Sequence, residues 1–321
     1  MNVLVAGGAG MIGSELCTAL VARGDHVVCV DDFSTGRLEN LDHLVGDDAF
    51  AVVGADVSEP GLGARIPGRR YDVVVNLASA ASPIDFVVRP LEILRAGAEG
   101  TRQLLEVAGR DRARFVMAST SEVYGDPDRS PQSEDYVGRV DTMGPRAVYD
   151  EAKRFAEALT AAHHRHLGTN VGIARIFNTY GPRARDDDGR AVPTFVRRAL
   201  DGGTLEIFGD GRATRSFCYV DDLVAGLTSL IDSDFPSPVN LGNPEEISVD
   251  ELVVKVATAT GRQPRVRYLA GRPGDPTRRC PDISLARREL GFAPTVGIDE
   301  GLARYVATRT ELDVRPALSA S

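Results

Sequence analysis

Val3-Leu4-Val5-Ala6-Gly7-Gly8-Ala9-Gly10-Met11-Ile12-Gly13 stands near the start of the chain and decides the fold. Four apolar residues read as a buried strand. Glycines follow at positions 7, 10 and 13, where helical spacing begins. Gly7 permits the tight turn out of the strand, and Gly10 lets a pyrophosphate approach the backbone. Gly13 lets the helix pack close on the strand. A helix opening at Met11 and Ile12 then aims free N–H groups and the positive end of its dipole at the phosphates. Strand, glycine turn and helix in this order predict a dinucleotide-binding unit.

The same alternation runs on. Apolar runs at Val27–Val30, Ala51–Val53, Val73–Leu77, Phe115–Ala118 and Val171–Ile176 are separated by stretches of helical spacing such as Thr101–Ala108 and Glu151–Ala162. Continuous apolar runs are strands buried on both faces, and alternation with helices makes their sheet parallel. The expected fold is α/β: a Rossmann-type doubly wound parallel sheet with a smaller C-terminal α/β substrate lobe. Residues 1–181 are expected to be mainly the dinucleotide-binding domain and 182–321 mainly the lobe. After Gly181-Pro182 the charged run Arg183–Arg190 reads as a loop, and later elements are short and broken by Gly and Pro. One late run, Pro238–Leu241, is expected to return to the main sheet. The tail from about Leu312 is expected to fray.

Asp31 closes the second run, with Asp32 beside it. A carboxylate there accepts hydrogen bonds from both adenosine ribose hydroxyls and repels a 2′-phosphate, so NAD is favoured over NADP. Arg37, a few residues on, pulls the other way. Asp56-Val57, placed at the end of the third run, reads evenly as an adenine contact or a helix cap. Leu77-Ala78-Ser79, at the end of the fourth, is expected under the cofactor.

The 321 residues are 43% hydrophobic, enough for a substantial core, with a formal net charge of −9. That balance argues against nucleic acid or a membrane surface as the main partner, although local arginines can hold an anionic small ligand. Cys17, Cys29, Cys218 and Cys280 are scattered without a C-x-x-C pair. Neither a disulfide framework nor a zinc site is expected, and no other metal site is suggested; the plain reading is buried thiols in a reducing cytoplasm. No apolar run approaches the roughly 20 residues that span a bilayer. Met1 leads straight into the first strand without a basic leader.

Tyr149 and Lys153 form Tyr-x-x-x-Lys. On a helix, positions i and i+4 share a face, so phenol and ammonium point into one cleft. The ammonium is expected to lower the phenol pKa, making Tyr149 an acid/base near neutral pH, and to hold the nicotinamide ribose. The spacing alone is common. Thr120, at the end of the fifth run, gives it weight, because a hydroxyl there hydrogen-bonds the same substrate hydroxyl. Together with the glycine turn, the trio predicts an enzyme that transfers a hydride with NAD.

Four longer stretches carry a more specific likeness: Ala118–Pro127 (ASTSEVYGDP), Pro131–Lys153 (PQSEDYVGRVDTMGPRAVYDEAK), Arg175–Arg183 (RIFNTYGPR) and Pro238–Glu246 (PVNLGNPEE). They resemble the extended short-chain dehydrogenase/reductases of the NAD-dependent epimerase/dehydratase family that act on nucleotide sugars. Within these, the UDP-glucuronate decarboxylases, or UDP-xylose synthases, are most similar. The likeness covers nearly the whole chain and is most specific from Ser119 to Arg190. Thr120-Ser121-Glu122 differs from the Thr-Asp-Glu of 4,6-dehydratases, whose aspartate serves dehydration, and simple 4-epimerases usually lack the glutamate.

The resemblance implies a reaction. Tyr149 takes the C4 hydroxyl proton as NAD oxidises C4, and the resulting β-keto acid loses carbon dioxide. Tyr149 and Thr120 stabilise the enolate oxygen. Re-reduction at C4 gives UDP-xylose with no net use of NAD. Glu122 orients the ring or a water, or only makes a structural hydrogen bond, and Ser121 contacts the carboxylate. Asn178, Arg190, Arg215 and Arg272 hold the diphosphate, Arg215 also reaching the region of the carboxylate, while Glu206 and Phe208 line the uracil pocket. A homodimer built from helix pairs is usual in such enzymes.

Ser82–Gly97 departs from the pattern. Where relatives read Ser-Pro-Pro-His-Tyr and then Asn-Pro, this chain reads Ser82-Pro83-Ile84-Asp85-Phe86 and then Arg89-Pro90. The segment lies near nicotinamide and sugar in the family, so cofactor retention or substrate choice is where a difference is expected. The alternatives are a UDP-sugar 4-epimerase and a non-enzymatic NAD-sensing protein, though a sensor has no need of Thr120, Tyr149 and Lys153.

Overall fold

Val3 and Val5 face one side of the first strand and Leu4 the other, and all three are fully buried. Side chains alternate along a strand, so a strand buried on both faces must lie between two layers of helices. The computed structural model describes residues 1–187, 189–271 and 278–314, the side chains of 311–314 excepted. Its first half runs β1 (Asn2–Ala6), α1 (Met11–Ala22), β2 (His26–Asp31), β3 (Phe50–Gly54), α2 (Leu62–Arg65), β4 (Val73–Asn76), α3 (Asp85–Val88), α4 (Pro90–Arg95), α5 (Thr101–Asp111), β5 (Arg114–Thr120), α6 (Ala147–Leu167) and β6 (Val171–Ile176).

The second half has shorter elements. They are β7 (Thr179–Tyr180), α7 (Ala191–Leu200), β8 (Thr204–Phe208), β9 (Thr214–Ser216), β10 (Cys218–Tyr219), α8 (Val220–Asp232), β11 (Pro238–Leu241), β12 (Glu246–Ser248), α9 (Val249–Thr260), β13 (Arg265–Leu269), β14 (Arg278–Arg279), α10 (Ser284–Leu290) and α11 (Ile298–Val314). The helix α11 continues past Leu312 to Val314, and the tail from 315 lies outside the described residues.

Seven strands form one parallel sheet in the order β11-β6-β5-β4-β1-β2-β3. This is the doubly wound Rossmann-type arrangement, with β11 returning from the second half to pair with β6. Val3, Val5, Val27 and Cys29 join one core with Leu16 of α1 and Leu227 of α8, while Leu4, Val28, Val74 and Phe115 join the other with Leu104 and Leu105 of α5. Arg114, buried in β5, pins the far edge by donating to the carbonyls of Leu230 at 3.1 Å and Phe235 at 3.0 Å. Small sheets of two or three strands, β12-β9-β14, β13-β8 and β10-β7, lie beyond the main sheet. All four cysteines are buried and free. Among the described residues no helix is long and apolar enough to cross a membrane.

Candidate active site

Open α/β sheets bind their ligands outside the carboxyl ends of the strands, and the expected site residues gather there. At β1 the chain turns through Gly7, whose φ of +77° falls in the left-handed region. A Cβ on Gly7 would sit 2.7 Å from Ala78 N, and one on Gly13 would sit 2.1 Å from Gly7 O. Both positions are closed to any side chain. Gly10 differs: a Cβ there would meet only Gly7 O, at 3.5 Å. The space above it is open, and α1 starts there with no side-chain cap and no acidic residue in its first turn. Bare backbone at a helix N-terminus suits a pyrophosphate, so the cradle fits a dinucleotide.

Asp31 ends β2 with one oxygen accepting from Ala9 N and the other from Phe33 N, each at 2.9 Å. Burial raises its carboxyl above the ordinary range while those two bonds oppose the rise. Each oxygen keeps a lone pair for a ribose hydroxyl. Asp32 Oδ1 accepts from Ser34 N at 2.9 Å. The strand β3 stops at Gly54, so Asp56-Val57 lies beyond it. Asp56 Oδ1 accepts from Ser58 N and Oγ, each at 2.7 Å, which closes a turn rather than capping a helix, and Val57 is buried in the core. Leu77-Ala78-Ser79 follows β4 and closes over Gly7; Leu77 N donates to Ala6 O at 2.8 Å.

Thr120 is the last residue of β5, and its Oγ1 accepts from Glu122 N at 3.2 Å. The helix α6 brings Tyr149 and Lys153 under it. Lys153 Nζ donates to Ala118 O at 2.9 Å and lies 5.9 Å from the Tyr149 ring centre. The expected acid phenol is not what the fold alone produces. Burial pushes the Tyr149 phenol up to about 12, opposed by a hydrogen bond with Thr120 and by the charge of Arg190. Burial also brings the Lys153 ammonium down to about 8, opposed by Glu157. Desolvation dominates both shifts because both groups lie deep in the protein.

Sequence reasoning assigned no individual role to three neighbours of this site, Arg279, Arg146 and Phe86. Glu122, in the turn after β5, is gripped by Arg279 of β14 and by Arg146, whose Nη2 stands 2.6 Å from Glu122 Oε2. These two arginines hold the buried Glu122 carboxyl below its usual range against the cost of burial. In β14 Arg278 is exposed and Arg279 buried, a difference that two adjacent arginines do not reveal in the sequence. The third neighbour is Phe86 of α3, stacked on Tyr149 with ring centres 4.8 Å apart at 18°. It lies in the atypical segment, where Asp85 accepts from Ser82 Oγ at 2.7 Å and meets Arg185 at 3.1 Å.

Of the remaining expected residues, Ser121 is buried beside Thr120. Asn178 reaches Ser216 O at 3.5 Å, and Arg215, in β9, donates to Thr214 O at 2.8 Å. Arg190 opens α7. Glu206, in β8, is held by Arg198 at 2.8 Å and by Arg267, and Phe208 is exposed at the strand's end. Arg272 lies outside the described residues.

Comparison with known proteins places this geometry. The model of the NAD dependent epimerase/dehydratase family matches residues 3–242. UDP-glucuronic acid decarboxylase 1 of Danio rerio is 43% identical over 305 residues, covering 95% of this chain and 72% of that protein. The crystal structure of UDP-glucose 4-epimerase from Thermotoga maritima, with UDP-glucose, superposes with a TM-score of 0.90 at 28% identity, covering 97% of this chain and 99% of the other. UDP-glucuronic acid 4-epimerase from Bacillus cereus, in complex with UDP-glucuronic acid and NAD, gives 0.88 at 29% identity, covering 97% and 100%. The seven-stranded parallel sheet agrees with the sequence match, and the chain belongs to the NAD-dependent epimerase/dehydratase family.

Proposed function

We propose that this chain decarboxylates UDP-glucuronate to UDP-xylose, with NAD held mainly by residues 1–181 and the nucleotide sugar mainly by 182–321. The observation that carries the reading is 43% identity over 95% of the chain with a UDP-glucuronic acid decarboxylase, against 29% for the UDP-glucuronic acid 4-epimerase. NAD, when bound, supplies oxidation of the sugar at C4 and its later reversal. The protein's part is to hold the C4 oxygen between Thr120 and Tyr149 and to move its proton. Arg190 is the cation that draws the phenol toward its working range. Glu122, Arg146 and Arg279 offer one negative and two positive charges beside it, a net positive surface suited to a sugar carboxylate. Once C4 is a ketone, carbon dioxide leaves because its electron pair is taken up by the C4 oxygen, which the same hydroxyls stabilise. Incubation with UDP-glucuronate and mass analysis tests the reading: the product is expected to be lighter by carbon dioxide. A product of unchanged mass would mean 4-epimerisation.

The same reading extends to a homodimer in a reducing, cytoplasmic setting, which four free buried thiols support. Val87, Val88 and Leu91 on α3 and α4 and Phe155 on α6 leave large apolar side chains more than half exposed, and α4 packs on α6. A second copy of the same helices is the occupant that covers them. The double substitution Leu91→Asp with Phe155→Asp is expected to turn a dimer into a folded monomer in sedimentation. An intact dimer would place the interface elsewhere.

A further inference from the structure

Asp150 follows the active-site tyrosine on α6 and has had no role so far. The residue is 5% exposed, and its Oδ1 is buried with no hydrogen-bond partner among the described residues. A bare buried carboxylate oxygen is costly, so such groups are neutral or strongly compensated. The charged groups facing it are Glu122 from the turn after β5, Arg279 from β14, Arg146 at the N-cap of α6, and Glu151 from its own helix. Both arginines already grip Glu122. Asp150 therefore faces a second carboxylate whose cations are committed. Burial first, and Glu122 second, push its carboxyl up to about 7, with the arginines opposing.

We propose that Asp150 stands as a neutral carboxylic acid in the resting site and supplies, by way of Glu122, the proton that replaces the lost carboxyl group at C5. The inference rests on the decarboxylase reading. The reaction needs this proton: Tyr149 takes one from the C4 hydroxyl and returns it, whereas carbon dioxide leaves C5 with an electron pair and no hydrogen. The C5–C6 bond breaks, and its pair becomes the enolate over C5, C4 and the C4 oxygen. Asp150 gives its proton to the ionised Glu122; that O–H bond then breaks as the proton passes to C5 and forms the C–H bond, so Glu122 ends as the carboxylate it began as. Water then restores Asp150. The charges also close. A neutral Asp150 leaves Glu122, Arg146 and Arg279 with a net single positive charge, matched by the substrate carboxylate. When that negative charge departs as neutral carbon dioxide, ionised Asp150 takes its place.

The test compares wild type with Asp150→Asn and Asp150→Glu, with UDP-glucuronate and NAD. Asp150→Asn is expected to keep KM and lose roughly 100-fold in kcat, the low end for a lost general acid. NADH should build up on the enzyme, because re-reduction waits for C5 protonation. Wild-type kcat should fall as pH rises through about 7, Asp150→Asn should lack that limb, and Asp150→Glu should recover part of the rate. Wild-type kcat in the asparagine variant, or a loss without accumulated NADH, overturns the proton relay. A second arm needs no turnover. The folded carboxyl stays protonated up to about 7 against 3.8 for the ordinary group, so the folded state binds the extra proton in that window. Wild-type stability then declines with rising pH across it. The melting temperature of Asp150→Asn relative to wild type should rise over the same window; a flat difference overturns the neutral acid. Wild-type enzyme that makes no UDP-xylose would overturn the reaction and the proton's destination, while the melting series still reports whether Asp150 is neutral.

Discussion

Tyr149→Phe is expected to fold, to bind NAD, and to turn over UDP-glucuronate roughly 100- to 10,000-fold more slowly, the usual contribution of a positioned acid/base. The ring is what the fold uses: it stacks on Phe86 at 4.8 Å, and a phenyl group keeps that contact. The hydroxyl is what the chemistry uses, since it alone meets Thr120 and feels Arg190. Calorimetric titration with NAD separates binding from turnover. A variant that binds NAD and works at the wild-type rate would remove Tyr149 from the proton transfer.

Arg279→Met is expected to destabilise the protein by about 3–5 kcal/mol, the range for breaking a buried ion pair from one side. The Arg279 side chain is 4% exposed and Glu122 12%, so neither charge can turn to water. Arg146 would remain, but it is the more exposed of the two cations. Adding Glu122→Gln to Arg279→Met should recover much of the loss, because the bare charge is then gone. Denaturant unfolding of both variants reads the difference. A double variant as unstable as the single one would show that Arg279 contributes through packing, or through its bond to Gly125 O at 3.3 Å, rather than through Glu122.

What was legible in the sequence is what local physics fixes. The turn at Gly7, Gly10 and Gly13 reads directly, because a side chain at Gly7 or Gly13 would collide with backbone. The parallel strands read as apolar runs because both faces are covered. Tyr149, Lys153 and Thr120 are brought together by one helix and one strand end. What was not legible depends on distant pairings. Arg279 comes from a two-residue strand far along the chain, in a sequence where most arginines face solvent. The carboxyl of Asp150 and the stacked ring of Phe86 acquire meaning only from what folds over them. The phenol pKa ran opposite to its expected direction for the same reason: spacing shows the ammonium, whereas burial is a property of the whole fold.

The return of β11 to the main sheet has a consequence for how the protein is made. β6 is paired with β5 on one side, and its other edge is filled only by Pro238–Leu241. During synthesis the N-terminal six strands emerge first, so a nascent chain from which β6 has emerged and Pro238–Leu241 has not presents β6 as an open ladder of unpaired backbone groups. Such edges template pairing with other chains. The sheet becomes safe from its neighbours on the ribosome only after the segment that closes it has cleared the exit tunnel.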